Sequence, residues 1–391
     1  MRKKHNREES SVKKRYAAAL AAVLLLGGMT PAARAAATPT VPAKAAVLME
    51  KETGEILGEQ NAHDKLEPAS VTKVMTLLLV MEAIDSGALS PDDTVQVTAR
   101  AASMGGSQVY LKEGEVMTVR DLLKAVAVAS GNDAAVALAE HLAGNEAAFV
   151  EKMNARAAEL GMNDTTFVNC TGLPAPGHLT SAYDIALMSR ELILNHPTIR
   201  EYTTIWMDSL RDGAFQLANT NKLLRQYEGC TGLKTGFTAA AGYCISATAE
   251  RGGMELISVV LGAQTKEVRT ECVQTLMNYG FASYTVLEVR PAQALAPVDV
   301  LLGEATTVQP VLASGSRILV EKSQVNAVET SVTVCSDVEA PVEAGQKLGE
   351  LTVTVGGQVR ETIDIVAGSA VPRLTVGGIF RNLLERFFMA K

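Results

Sequence analysis

The chain has 391 residues, long enough for two domains and a substantial core, with 47% hydrophobic and 20% charged residues. That balance excludes a disordered chain and a polytopic membrane protein. The formal charge is −7, and removal of residues 1–36 would leave 28 basic against 41 acidic residues, or −13, which argues against nucleic acid as a partner.

In chain order, Arg2, Lys3, Lys4, Arg7, Lys13, Lys14 and Arg15 precede an apolar run over 17–29, and small residues end at Ala33-Arg34-Ala35. The pattern predicts a secretory signal peptide over 1–36, its apolar run being short for a membrane span; an uncleaved N-terminal anchor is the rival reading. Residues 45–60 are apolar on both sides of Thr53-Gly54 and predict a β-hairpin that starts the central sheet. Pro68 suits a helix start and places Ser70 in the first turn of a helix that continues through the apolar stretch 74–84. After the Ser90-Pro91-Asp92-Asp93 turn comes a looser helical region with short strands. Helices are predicted over 118–129, 133–142, 146–160 and 181–194, with Ser130-Gly131-Asn132 as a tight break between the first two. Residues 169–178 read as a loop.

Antiparallel strands follow over 233–238, 242–249 and 255–261, then a helix over 266–279 that closes a first domain spanning 37–282. Beyond it, residues 317–320, 330–334, 351–355 and 362–366 alternate in short segments with Gly356-Gly357 as a hairpin turn. Residues 283–370 therefore read as a small β-sandwich, and the whole as an α+β chain. In the last stretch, 371–391, Ile379, Phe380, Leu383, Leu384, Phe387 and Phe388 share one half of a helical wheel opposite Arg381, Asn382, Glu385 and Arg386. A helix of that kind lies in a membrane surface, apolar face down; packing on its own domain is the alternative.

The five cysteines, Cys170, Cys230, Cys244, Cys272 and Cys335, leave at least one thiol unpaired. A hairpin turning near Ala240 sets Cys230 opposite about residue 250, out of bridging reach of Cys244, so free and mostly buried thiols are expected.

The chemistry resides in three motifs. Ser70 and Lys73 form an S-x-x-K pair, and i,i+3 spacing brings a hydroxyl and an amine together on one helix face. A serine hydroxyl is a weak nucleophile until a partly neutral amine beside it can take its proton. The pattern alone is unspecific, since Ser10 with Lys13 repeats it. It is followed, however, by Ser130-Gly131-Asn132 and then by Lys234-Thr235-Gly236, each occurring once in the chain. Read without that company, Ser130 and Asn132 would be helix-capping residues and Thr235 an ordinary strand threonine.

The ordered triple resembles the penicillin-recognising active-site serine enzymes, among them penicillin-binding proteins and class A β-lactamases. The flanking runs Leu66-Glu67-Pro68-Ala69-Ser70-Val71-Thr72-Lys73, Ser130-Gly131-Asn132-Asp133-Ala134-Ala135 and Gly232-Leu233-Lys234-Thr235-Gly236-Phe237-Thr238 are similar to the low-molecular-mass D-alanyl-D-alanine carboxypeptidases of the peptidase S11 family. The resemblance implies the penicillin-binding-protein transpeptidase fold plus a C-terminal β domain. It implies Ser70 as nucleophile, Lys73 as general base and Ser130 as proton donor to the leaving nitrogen. Asn132, Lys234, Thr235 and Gly236 would bind substrate, and the backbone N–H groups of Ser70 and Phe237 would form the oxyanion hole. It further implies peptidoglycan stem peptides as substrate, β-lactams as covalent inhibitors, no cofactor, and a place on the extracytoplasmic face of a bacterial membrane.

Two rivals stay open at this level. Glu191-Leu192-Ile193-Leu194-Asn195 fits the E-x-x-L-N motif of class A β-lactamases, although its leucine period also suits helix packing. A non-catalytic peptidoglycan-binding module is the other. Metal hydrolysis is disfavoured because His63, His141, His178 and His196 show no ligand spacing. The sequence leaves open whether water or a second peptide takes the acyl group.

Overall fold

A computed structural model describes residues 38–313, 317–378 and 380. The signal peptide expected over 1–36 lies outside these residues, as does all of the expected terminal helix beyond Phe380. Among the described residues no helix is long and apolar enough to cross a membrane.

Strands β1 (Ala45–Glu50) and β2 (Ile56–Gln60) form the expected hairpin, and its turn is tied by Glu50, whose carboxylate accepts from the backbone and hydroxyl of Thr53. A 3-10 turn, Ala69–Thr72, runs into helix α1 (Lys73–Asp85). The looser region holds the ribbon β3 (Thr94–Gln96) with β4 (Val116–Thr118) and the short helix α2 (Ala99–Ala102). Helices α3 (Val119–Ala127), α4 (Asn132–Ala143), α5 (Glu146–Glu159), α6 (Ala182–Asn195) and α7 (Arg200–Thr203) follow. Their starts obey capping chemistry: Thr118, Asn145 and Ser181 each accept a backbone N–H three residues on. A second ribbon, β5 (Met207–Leu210) with β6 (Phe215–Ala218), and the short α8 (Leu223–Gln226) lead to the long strands β7 (Cys230–Thr238), β8 (Gly242–Arg251) and β9 (Met254–Ala263), then α9 (Lys266–Ser283).

The central sheet is antiparallel in the order β2-β1-β9-β8-β7, so β7 stands at an edge. Both of its faces are covered, which is why β1 is buried at every position. Val47, Met49, Ile257, Val259 and Leu261 point toward α1 and α6, while Ala46, Leu48, Ala247, Leu256 and Val260 point toward Cys272, Val273, Leu276 and Met277 of α9. Residues 74–81 of helix α1 are all buried, and the helix sits inside the first of these cores.

The C-terminal region is β-rich. A four-stranded sheet joins β13 (Pro310–Leu312), β18 (Gln358–Ala367), β17 (Lys347–Val355) and β15 (Val328–Val334), with Gly356 and Gly357 at positive φ in the β17–β18 turn. Two smaller sheets, β10 (Tyr284–Glu288) with β14 (Arg317–Glu321), and β11 (Val298–Leu301) between β12 (Thr307–Val308) and β16 (Asp337–Glu339), supply the remaining strands. Ile318 and Val320 pack with Leu351, Val353, Ile363 and Ile365 in one of its cores. Every cysteine is free, with Cys170, Cys244 and Cys272 buried, Cys230 half-buried and Cys335 exposed. Cys230 faces Ala249 across the hairpin, as the register argument required.

Candidate active site

Ser70 lies one turn before α1, in the 3-10 turn, and not in the α-helix itself as expected. Ala69 explains the difference: its φ of 48° is left-handed, which an α-helix cannot carry. The i,i+3 relation survives, because Lys73 opens α1 and its Nζ stands 3.0 Å from Ser70 Oγ. Lys73 has no exposed surface and donates also to Asn132 Oδ1 at 2.6 Å and to the carbonyl of Thr171 at 2.7 Å. Burial pulls its ammonium down from 10.5 to about 7, although the Asp133 carboxylate works the other way. At neutral pH a large fraction of Lys73 is therefore the free amine, the form able to accept a proton.

The α3–α4 break brings the second motif to the same place. Ser130 adopts a left-handed φ of 63° and is nearly buried, and its hydroxyl has no hydrogen-bond partner among the described residues. Asn132 is the first residue of α4, not part of the loop; its Oδ1 faces Lys73 and its Nδ2 donates to the Gly105 carbonyl at 2.7 Å. Each end of that amide keeps one further hydrogen-bonding position. Asp133, fully buried, accepts from the amides of Val109 and Leu111 at 3.0 and 3.1 Å, and Arg211 donates to the carbonyls of Val109 and Tyr110. These two side chains hold residues 105–111 in place beside Asn132.

Strand β7 carries the third motif. Gly236, expected among the substrate-binding residues, also meets the Ser70 turn: a Cβ there would lie 2.9 Å from both the Pro68 carbonyl and the Ser70 amide. Its bareness lets the strand touch the Ser70 turn. Lys234 is buried and, among the described residues, donates only to the carbonyl of Thr235, at 2.9 Å. Burial, with the positive charges of Lys73 and Arg269, holds it well below the usual lysine range. The Thr235 hydroxyl pairs with that of Thr220 at 2.7 Å, so the Asn219-Thr220-Asn221 stretch lies against this motif. Phe237 is half exposed and its ring lies 4.3 Å from that of Tyr243.

Sequence reasoning missed the loop that completes the Lys73 site. Asn169 Oδ1 accepts from the amides of Thr171 and Gly172 and from the Thr171 hydroxyl, a local turn that aims the Thr171 carbonyl at Lys73. Gly172, at φ 81°, comes so close to the Ser70 turn that a Cβ would sit 1.8 Å from the Ala69 carbonyl. His178 accepts from the Val168 amide at Nδ1, so Nε2 carries the hydrogen and donates to Thr72 Oγ1 at 2.8 Å. Thr72 in turn donates to the Ala69 carbonyl at 2.9 Å. Burial lowers His178 to about 4, which keeps this chain neutral. Asn169 and Gly172 carried the residue signature of such a turn, but nothing in the sequence tied it to Lys73.

Glu191 is not part of this site. It pairs with Arg156 at 2.6 Å, and Arg156 also holds Glu82, which lies nine residues beyond Lys73 on α1 and hence roughly 13 Å along the helix. Asn195 donates back to Glu191. The ligand atoms of Glu82, Glu191 and His196 lie within 4.8 Å of one another, but Arg156 neutralises both glutamates and Asp85 holds the imidazole.

A sequence model described as D-alanyl-D-alanine carboxypeptidase, peptidase S11, matches residues 32–265, and a penicillin-binding protein 5 C-terminal domain model matches residues 289–373. The chain belongs to the peptidase S11 family of D-alanyl-D-alanine carboxypeptidases. It is 43% identical over 325 residues to the D-alanyl-D-alanine carboxypeptidase DacF of Bacillus subtilis, covering 81% of this chain and 82% of the relative. Penicillin-binding protein 5 of Haemophilus influenzae superposes with a TM-score of 0.74 at 29% identity, over 86% of this chain and 100% of the other. Penicillin-binding protein D2 of Listeria monocytogenes, solved in an ampicillin-bound form, does so with a TM-score of 0.57 at 40% identity, over 62% of this chain and 100% of the other. This protein is thus a D-alanyl-D-alanine carboxypeptidase of the penicillin-binding-protein class, with that class's mixed helix and sheet fold.

For this carboxypeptidase, replacing Asp133 by Ala strips the buried amides of Val109 and Leu111 of their acceptor. A loss of roughly 3 kcal/mol in urea unfolding is expected, with new chymotrypsin cleavage at the exposed Tyr110. Unchanged stability and an intact loop would contradict the clamp.

Proposed function

We propose that the enzyme removes the terminal D-alanine from peptidoglycan stem pentapeptides through an acyl-enzyme on Ser70. The observation that carries this reading is the 3.0 Å contact between Ser70 Oγ and a lysine amine brought near neutrality by burial. Ser70 Oγ attacks the carbonyl carbon of the penultimate D-alanine while Lys73 Nζ takes its proton. The backbone N–H groups of Ser70 and Phe237 stabilise the oxyanion, which the contact of Gly236 with the Ser70 amide supports. Ser130, whose hydroxyl has no partner among the described residues, passes a proton to the leaving nitrogen as the C–N bond breaks. Asn132 uses its spare donor and acceptor positions on the substrate amide. The terminal carboxylate meets Lys234 and Thr235, with Gly236 alongside. Water then hydrolyses the ester and frees Ser70.

A β-lactam enters the same path, stops at the ester and blocks the enzyme; the ampicillin-bound relative supports this. A β-lactamase reading lacks its deacylating glutamate, since Glu191 on α6 is held by Arg156, which also binds Glu82 far along α1 from Lys73. A binding module without turnover has no use for a lysine buried against the hydroxyl. On the same proposal residues 1–36 are a signal peptide, 37–282 the catalytic domain, 283–370 a β domain, and 371–391 an amphipathic helix that holds the enzyme on the extracytoplasmic membrane face. The two sequence matches, ending at 265 and starting at 289, support that division.

Benzylpenicillin should add one adduct mass to the intact protein and none to Ser70→Ala. Because Lys73 accepts the proton only when neutral, the acylation rate should fall as pH drops below about 7; an adduct on Ser70→Ala, or a rate flat from pH 5 to 9, would refute the roles. Deleting residues 377–391 should release the protein from membranes with its activity on a soluble peptide intact, whereas continued membrane retention would refute the anchor.

A further inference from the structure

Two leucines stand at a turn where polar residues are the rule. Leu301 ends β11 and Leu302 follows it, and they are 51% and 57% exposed. Leu302 also holds a left-handed φ of 59°, a backbone that glycine and asparagine adopt readily and a leucine resists. The turn itself is pinned. Leu302 accepts at its carbonyl from the Leu374 amide at 2.8 Å, and the Glu304 amide donates to the Pro372 carbonyl at 2.9 Å. Gly303 between them bridges to Arg373, with no space for a Cβ, which would lie 2.9 Å from the Val371 side chain. An exposed apolar side chain on a strained backbone works against stability, and such residues persist where they serve an interaction.

The segment that pins this turn leads directly into the end of the chain. A helix begins at Val376, and its first turn is closed by the Gly378 amide, which donates to Thr375 Oγ1 at 3.1 Å. Val376 is 85% exposed, and Phe380, one turn further, 65%. By spacing, Val376 extends by one turn the apolar side that Phe380, Leu383, Leu384 and Phe387 mark in the sequence, at i, i+4, i+7, i+8 and i+11. The leucine turn and the apolar helix side therefore leave the β domain at one place, and the surface that covers one is at hand for the other. Close by, Glu304 is exposed and Glu339 is paired with Arg373, so the turn has no excess of positive charge with which to seek anionic headgroups. Its chemistry is that of apolar insertion.

We propose that Leu301 and Leu302 form a second membrane contact, a wedge that enters the apolar boundary of a lipid bilayer beside the terminal helix. The proposal rests on the reading of 371–391 as a membrane-surface helix and adds to it a contact made by the folded β domain. One amphipathic segment gives reversible attachment, and a second apolar contact on the same side strengthens it. Because the turn is bonded to the strand before the helix, it also fixes how the β domain stands on the bilayer, which a helix alone would leave free.

The test is co-sedimentation of the exported protein with vesicles of phosphatidylcholine, alone or mixed with phosphatidylglycerol. The parent is compared with Leu302→Asn, Leu301→Ser and the form lacking residues 377–391. Leu302→Asn should bind about tenfold more weakly and Leu301→Ser about fivefold, by the same factor in both vesicle types and at high salt, because apolar insertion is lost and charge is not. Asparagine suits the left-handed backbone, so the melting temperature of Leu302→Asn should hold or rise. Weaker binding without loss of stability is a pairing that damage to the fold does not produce. Equal binding of parent and leucine variants, with the shortened form released, would overturn the wedge and leave the helix as anchor. A shortened form that sediments as the parent does would refute the helix reading instead, and the leucine variants would still decide the wedge. Failure of every form to bind would overturn both. A lipid-free dimer that forms with rising concentration and is abolished by Leu302→Asn would also overturn the proposal, by assigning the turn to a second copy of the chain.

Discussion

Lys73 has no surface in contact with solvent, and the acceptors that hold its amine come from three separate parts of the chain. A full charge in such a place costs several kcal/mol of desolvation, so the group responds by titrating near neutrality. Among the described residues no carboxylate forms an ion pair with it; Asp133, whose charge acts on it, spends its oxygens on backbone amides. The lysine is therefore kept by neutral dipoles: a hydroxyl, an amide oxygen and a carbonyl. A direct carboxylate partner would have returned it to the ordinary lysine range and removed its capacity to take a proton.

Delivering those dipoles is the work of the surrounding fold. Helix α1, buried over residues 74–81, takes Lys73 inside at its first turn, while the α3–α4 break supplies Asn132 and the Asn169 turn supplies the Thr171 carbonyl. Two glycines permit the contacts at close range, Gly236 on β7 and Gly172 in the loop, each meeting the Ser70 turn with no space for a methyl group. The neutral His178–Thr72 chain then fixes the carbonyl of Ala69, the residue whose left-handed backbone separates the Ser70 turn from α1. Both serine-bearing turns thus carry a residue with left-handed backbone, Ala69 in one and Ser130 in the other.

Much of this could be read from the sequence, for identifiable reasons. The strand segments of β7, β8 and β9 and the helical periods of α5 and α6 are local signals, and the elements formed where those signals placed them. Ser70 and Lys73 were paired by spacing alone, which a 3-10 turn satisfies as well as an α-helix. What escaped is of another kind. The Thr171 acceptor is a backbone atom and carries no residue signature, and the reach of Gly172 to Ala69 joins positions about a hundred residues apart. Such properties are set by tertiary packing. Gly236 shows the same limit from the other side: the residue was identified, but its contact with the Ser70 turn was not.

The central claim is that burial, without a paired acid, holds Lys73 near neutrality. The most direct measurement is a pH titration of the protein carrying carbon-13 at lysine Cε, with the Lys73 signal assigned by its loss in Lys73→Met. A midpoint near 7 is predicted, the amine gaining its proton as pH falls through that value. A signal that stays protonated up to pH 10 would contradict the account and would require another group to take the serine proton.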